Sequence, residues 1–181
     1  MRLLLKDVRL AFPILWEPEP FPGGKDPTKY FSANFILPPT HSQLPELNKI
    51  CEALAREQWK DKGPAILKAI KQTGKIFLKS GDTKPEYDGF EGNWFVSART
   101  KTRPNYFDQH KNEIGSADAM LYAGCYCNVS LEFYSYTKGN NGLGAAIRGV
   151  QHLRDGDAFG GGRPADADEF DDIGVTDDLT S

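Results

Sequence analysis

The chain has 181 residues, 39% hydrophobic and 26% charged, with a formal net charge of -3. These values exclude a fibrous or wholly unfolded chain, and the length suits one domain plus a tail. No apolar run approaches the roughly 18–20 residues of a bilayer span, the first ten residues are too charged for a secretory signal, and three cysteines (Cys51, Cys125 and Cys127) point to a reducing, intracellular setting.

Residues 3–10 read as a strand. Pro13, Pro18, Pro20 and Pro22, with Gly23 and Gly24, make the next stretch a loop. Residues 30–37 form a second strand, stopped by Pro38 and Pro39. Leu47, Ile50, Cys51, Leu54 and Ala55 then recur at helical spacing, which predicts an amphipathic helix over 44–59. Thr40 and Ser42 are its capping candidates, and Pro45 suits the first turn. A second short helix is predicted over 64–71.

Strand chemistry returns at 75–79. Residues 81–92 are rich in turn formers, and 93–103 form a strand ended by Pro104. Residues 120–136 read as one long strand or a bent pair, with Gly124 as a candidate bulge. Residues 138–142 (KGNNG) are a hairpin signal, and 143–153 close the body. Five to seven strands and one main helix make a mainly β protein. A five-stranded OB-fold-like barrel with extended loops fits this count, and so does a sandwich.

The charge is unevenly distributed. Residues 155–181 hold nine acids and one base, a formal charge of -8, so residues 1–154 carry +5. A body over 1–154 and a flexible acidic tail over 155–181 are expected, joined through Gly160, Gly161 and Gly162. Phe170, Ile173, Val175 and Leu179 are apolar hooks among acids such as Asp171 and Asp172, and the stretch Phe170, Asp171, Asp172 and Ile173 is the expected partner-binding part, a composition suited to a partner's basic, apolar groove. A basic body with an acidic tail suggests nucleic-acid binding.

Two strand faces carry the chemistry. On 93–103, alternation puts Trp94, Val96 and Ala98 toward a core and Phe95, Ser97, Arg99, Lys101 and Arg103 on the other face. Three cations in a row repel one another unless an anion lies across them. On 120–136 the odd positions are apolar, whereas Tyr122, Tyr126, Tyr134 and Tyr136 lie on the even face, together with Glu132, which would repel a phosphate. Exposed rings interleaved with cations favour unstacked bases over duplex. Tyr106 and Phe107 extend this surface as a loop, and Lys75, Lys79 and Lys84 could track a backbone nearby.

Cys125 and Cys127 lack the second pair a zinc site needs and read as small core residues. The Gly139–Gly144 glycines lack the Lys-Ser/Thr of a P-loop and fall in the hairpin. Nothing demands a cofactor, a metal or catalysis. The alternatives are a metal-dependent nuclease using Asp82, Glu86, Asp88 or Glu91, and a virion or scaffold protein.

The order of features resembles phage-encoded single-stranded DNA-binding proteins with an OB fold. The resemblance rests on Ala11-Phe12-Pro13 after the first strand, Glu17-Pro18, the 30–37 strand and the 44–59 helix. It continues through Gly89-Phe90 before Asn93-Trp94, Gly124-Cys125-Tyr126, the run from Gly149 to Gly156, and the acidic tail. It implies a non-enzymatic protein that coats single strands in phage DNA replication, recombination and repair, in the host cytoplasm. It also implies a tail that contacts replication proteins such as a polymerase, helicase or primase and competes with DNA. A homo-oligomer or a cooperative array on DNA is compatible with it. The expected DNA-binding residues are Phe95, Arg99, Lys101, Arg103, Tyr106, Phe107, Tyr122, Tyr126, Tyr134, Lys79 and Lys84.

Overall fold

The computed structural model describes residues 1–160, 173 and 174. In chain order the elements are β1 (Arg2–Pro20), β2 (Lys29–Leu37), α1 (Leu44–Trp59), α2 (Gly63–Thr73), β3 (Leu78–Ser80), β4 (Trp94–Thr100), β5 (Asn105–Phe107), β6 (Tyr126–Tyr136) and β7 (Gly142–Arg154). The strands form one seven-stranded sheet in the order β3-β4-β2-β1-β6-β7-β5, not the five strands expected. Every pairing is antiparallel except β5 with β7. Just before β3, Ile76 bridges Leu143 of β7, and the Leu143 N–H donates to the Lys75 carbonyl at 3.0 Å. The sheet therefore curls until the approach to β3 meets β7.

β1 is far longer than its prolines predict. Its first half pairs with β6 and its second half with β2. The β2 register slips between Ala11 and Ile14 and again between Ile14 and Glu19. Pro13 and Pro18 fall in those interruptions, where no ladder N–H is required. Phe12, at φ 48°, sits in the first interruption and is half exposed.

The helix over 44–59 forms as its spacing predicts, with Pro45 in the first turn. Its N-cap, however, is Gln43, and no side chain caps it. Gln43 is engaged elsewhere: its amide accepts from Lys6 N–H at 2.8 Å and donates to the Leu4 carbonyl at 2.9 Å. This ties the helix start to β1 where its β6 register shifts. Leu47, Cys51, Leu54 and Ala55 of α1, with Leu67 and Ile70 of α2, pack into one core with Phe35, Val96, Val129, Leu131 and Ile147 from the sheet.

The β6 alternation holds: Cys127, Val129, Leu131 and Phe133 are buried while the even positions face outward. The strand begins at Tyr126, though, because Gly124 (φ 110°) turns the chain and residues 157–158 cover its backbone. β4 ends at Thr100, whose hydroxyl accepts from Thr102 N–H at 3.2 Å and turns the chain. Lys101 and Arg103 thus leave the strand face on which alternation placed them. Past Arg154, where the charge divides, the chain stays packed. Arg9 donates to the Asp157 carbonyl at 2.8 Å, Phe159 N–H bonds Ala123, and the Phe159 ring joins Ala11, Ile36, Phe90 and Phe95.

Candidate nucleic-acid interface

One open cleft of about 570 Å³ lies where the curled sheet, the end of β1 and the approach to β3 converge. Rings line it from several directions: Phe12 and Phe21 from β1 and the loop after it, Tyr30 from β2, Tyr87 from the turn before β4, and Tyr134 and Tyr136 from β6. Lys75, Lys79, Lys84 and Arg99 also line it, against one acid, Glu19. No single element could place this set. It exists because β1 is long enough to bring Phe12 and Phe21 to the sheet's curl.

The cations are already arranged on rings. The Arg99 guanidinium carbon lies 4.5 Å from the Tyr30 ring centre and 4.9 Å from that of Phe21. Lys84 Nζ lies 5.8 Å from the Tyr87 ring and Lys79 Nζ 6.0 Å from the Phe95 ring. Burial, and then the charges of Lys84 and Lys75, pull the Lys79 ammonium below the usual lysine range. Phosphates entering the cleft would relieve that repulsion. Burial raises the Tyr136 hydroxyl, reinforced by Tyr134 and opposed by Arg99.

The rings are coupled too. Phe12 meets Tyr87 edge-on, with centres 4.8 Å apart at 77°, and Tyr134 and Tyr136 stand 6.3 Å apart. Both of these tyrosines face a glycine across the ladder, Tyr134 opposite Gly144 and Tyr136 opposite Gly142. Glu132, on the same face, is paired with Arg148 at 2.9 Å, which holds its carboxyl below the ordinary range.

Of the residues expected from sequence, the cleft unites Phe95, Arg99, Lys79, Lys84 and Tyr134. Phe95 is its floor, only 1% exposed under Phe90, and so has no free face for a base. Lys101 stands at the rim, 6.0 Å from the Tyr30 ring. The others are elsewhere. Tyr106 is in the core, with its hydroxyl donating to the Leu15 carbonyl and pushed well up by burial. Arg103 covers Trp16 and Tyr106. Phe107 lies in β5 at the far edge of the sheet. The Tyr122 hydroxyl donates to the Gly156 carbonyl at 2.9 Å. Tyr126 carries Arg154 (4.1 Å) and Arg9 (5.3 Å) on its ring. Eight strand residues, roughly 27 Å, separate Tyr126 from Tyr134.

Sequence reasoning missed Phe21, Tyr30 and Tyr87 and reached Phe12 only through family likeness. Phe21 and Tyr87 lie in turn-rich segments where periodicity is silent. Of the tail residues, Phe170, Asp171 and Asp172 lie outside the described residues, and Ile173 is 88% exposed.

Cys125 and Cys127 are buried, and burial raises both thiols. Among the described residues no cluster of three His, Cys, Asp or Glu side chains is placed to hold a metal. Asp82 and Asp88 accept backbone N–H groups of Gly92 and Gly160 instead. No helix among the described residues is long and apolar enough to cross a membrane.

The chain is similar to several phage proteins. Protein p50 of Acyrthosiphon pisum secondary endosymbiont phage 1 is 39% identical, over 98% of this chain and 97% of that one. The fold is similar to that of the single-stranded DNA-binding protein from bacteriophage Enc34, solved in complex with ssDNA. That match has a TM-score of 0.71 and 21% identity over 88% of this chain and 89% of that one. It is also similar to gp2.5, a single-stranded DNA-binding protein encoded by bacteriophage T7, with a TM-score of 0.55 and 8% identity over 84% and 91%. The family model described as Enterobacter phage Enc34, ssDNA-binding protein, matches residues 1–180, and the chain belongs to that family.

Proposed function

We propose that the protein binds single-stranded DNA without sequence preference in this cleft and performs no catalysis on it. The observation that carries the reading is the convergence of four cations and six rings, besides the buried Phe77 and Phe95, in one open groove. Lys and Arg hold phosphates, and the rings stack bases at about 1–3 kcal/mol each. A duplex keeps its bases stacked inside and cannot use those rings. The family's namesake, solved in complex with ssDNA, supports the same ligand. Replication, recombination and repair of phage DNA in the host cytoplasm are the processes that expose such strands.

The curled sheet is read as an expanded OB-type barrel over residues 1–154, onto which 155–160 pack, with 161–181 as the acidic arm. Gly160, where the continuous described chain ends, donates to Asp88, next to Tyr87 of the cleft. The acidic residues that follow in sequence are read as competitors with DNA for Lys84 and its neighbours, released to replication proteins once DNA binds. The test is a titration of intrinsic tyrosine and tryptophan fluorescence with oligo-dT and with a matched duplex. Strong quenching by the single strand alone is expected. Equal quenching by both would refute base stacking.

A further inference from the structure

The glycines of the hairpin after β6 lack a P-loop's chemistry, yet two of them do more than turn the chain. Gly142 and Gly144 stand directly opposite Tyr136 and Tyr134 in the β6–β7 ladder. A Cβ at Gly144 would lie 2.5 Å from Tyr134 Cζ, and 2.6 and 2.7 Å from its Oη and Cε2. At Gly142 a Cβ would overlap the hydroxyl end of the Tyr136 ring, against the same three atoms. The far end of each ring thus fills the space of a missing side chain, so both rings lie down across the β7 backbone.

We propose that Gly142 and Gly144 are positioning residues for DNA binding: they let Tyr134 and Tyr136 recline against β7 and turn their outer faces into the cleft. This rests on the reading of the cleft as the DNA site. Cross-strand contact between an aromatic ring and a glycine is a known way to cover exposed backbone in a sheet. Here Tyr134 remains 37% exposed, so the covering ring keeps a free face. With a methyl at 144 the ring must swing outward, because its far end yields before backbone does. The cleft then loses an oriented platform but none of its cations.

The test is a double-mutant cycle of Gly144→Ala and Tyr134→Ala, read by oligo-dT affinity across a salt series. Gly144→Ala should weaken binding about fivefold or more, the loss of one stacked base, with the salt slope unchanged. In a Tyr134→Ala background, adding Gly144→Ala should change nothing further. A Gly144→Ala protein that binds as wild type, or that costs as much without the tyrosine, overturns the glycine's role. If Tyr134→Ala itself leaves affinity intact, the cleft reading fails as well. A measurement on the wild-type protein avoids any folding defect: a Gly144 α-proton should be shifted upfield by the Tyr134 ring current. An ordinary shift would overturn the proposal.

Discussion

Replacing Arg99 by alanine isolates the electrostatic half of the site. Arg99 is one of four cations lining the cleft, with Lys75, Lys79 and Lys84. If each neutralises one phosphate, log affinity falls with log salt at a slope of about -0.7 per contact on a single strand, about -2.8 in total. Raising salt from about 50 to about 200 mM should then weaken the wild type about 50-fold. With three contacts the slope becomes about -2.1, and the same change weakens binding about 20-fold. The variant also loses the contacts of Arg99 with Tyr30 and Phe21, so its affinity should drop at every salt concentration. Fluorescence titration at four or five salt concentrations gives the slope. An Arg99→Ala slope equal to that of the wild type would place the phosphates elsewhere and refute the assignment.

Other outcomes follow from the same geometry. Tyr106→Phe leaves the buried Leu15 carbonyl without its donor and should cost about 1–3 kcal/mol in denaturant unfolding with oligonucleotide affinity unchanged; an affinity loss would return Tyr106 to the DNA site. The free-protein pKa of Lys79 is lowered from 10.5 by burial and by Lys84 and Lys75. The folded protein thus gives up that proton before the unfolded chain does. Between the lowered value and 10.5, this lysine should make stability rise with pH while DNA affinity falls, and Lys79→Met should weaken both trends; a variant profile identical to wild type contradicts the shift. Cys51, whose thiol burial pushes up to about 12, is buried with Cys125 and Cys127. A thiol reagent should label none of them in the native protein and all three in denaturant, and native labelling of Cys125 or Cys127 would contradict their packing. Residues 161–181 hold seven acids and one base, so deleting them moves the net charge from -3 to +3. Binding at low salt should tighten, and an unchanged affinity would remove the competition.

What could be read from the sequence followed the reach of local rules. The α1 helix and the β6 alternation were legible because burial imposes a period of 3.6 or 2 on neighbouring residues. Arg99 and Tyr134 were legible as outward positions in such patterns, whereas Lys79 and Lys84 were reached only as lysines that could track a backbone nearby. Phe95 was assigned the correct face, but a second small cluster built by Phe90 and Phe159 covers that end of it. Tyr106 misled because composition cannot distinguish a tyrosine whose hydroxyl finds a buried carbonyl from one that offers its face to a ligand. The row Arg99, Lys101, Arg103 assumed a strand that Thr100 ends. Phe21 and Tyr87 were beyond reach, since only the long, doubly paired β1 and the curl of the sheet bring those turns to Arg99 and Tyr134.

The central claim is that a single strand lies in the cleft with its bases on these rings. Photocrosslinking a bromodeoxyuridine-substituted oligonucleotide to the full chain, with the attachment sites mapped by mass spectrometry, tests it most directly. Crosslinks at Tyr30, Tyr87, Tyr134 and Tyr136 are predicted. Crosslinks confined to Tyr122, Tyr126 or Phe107, on surfaces away from the cleft, would contradict it.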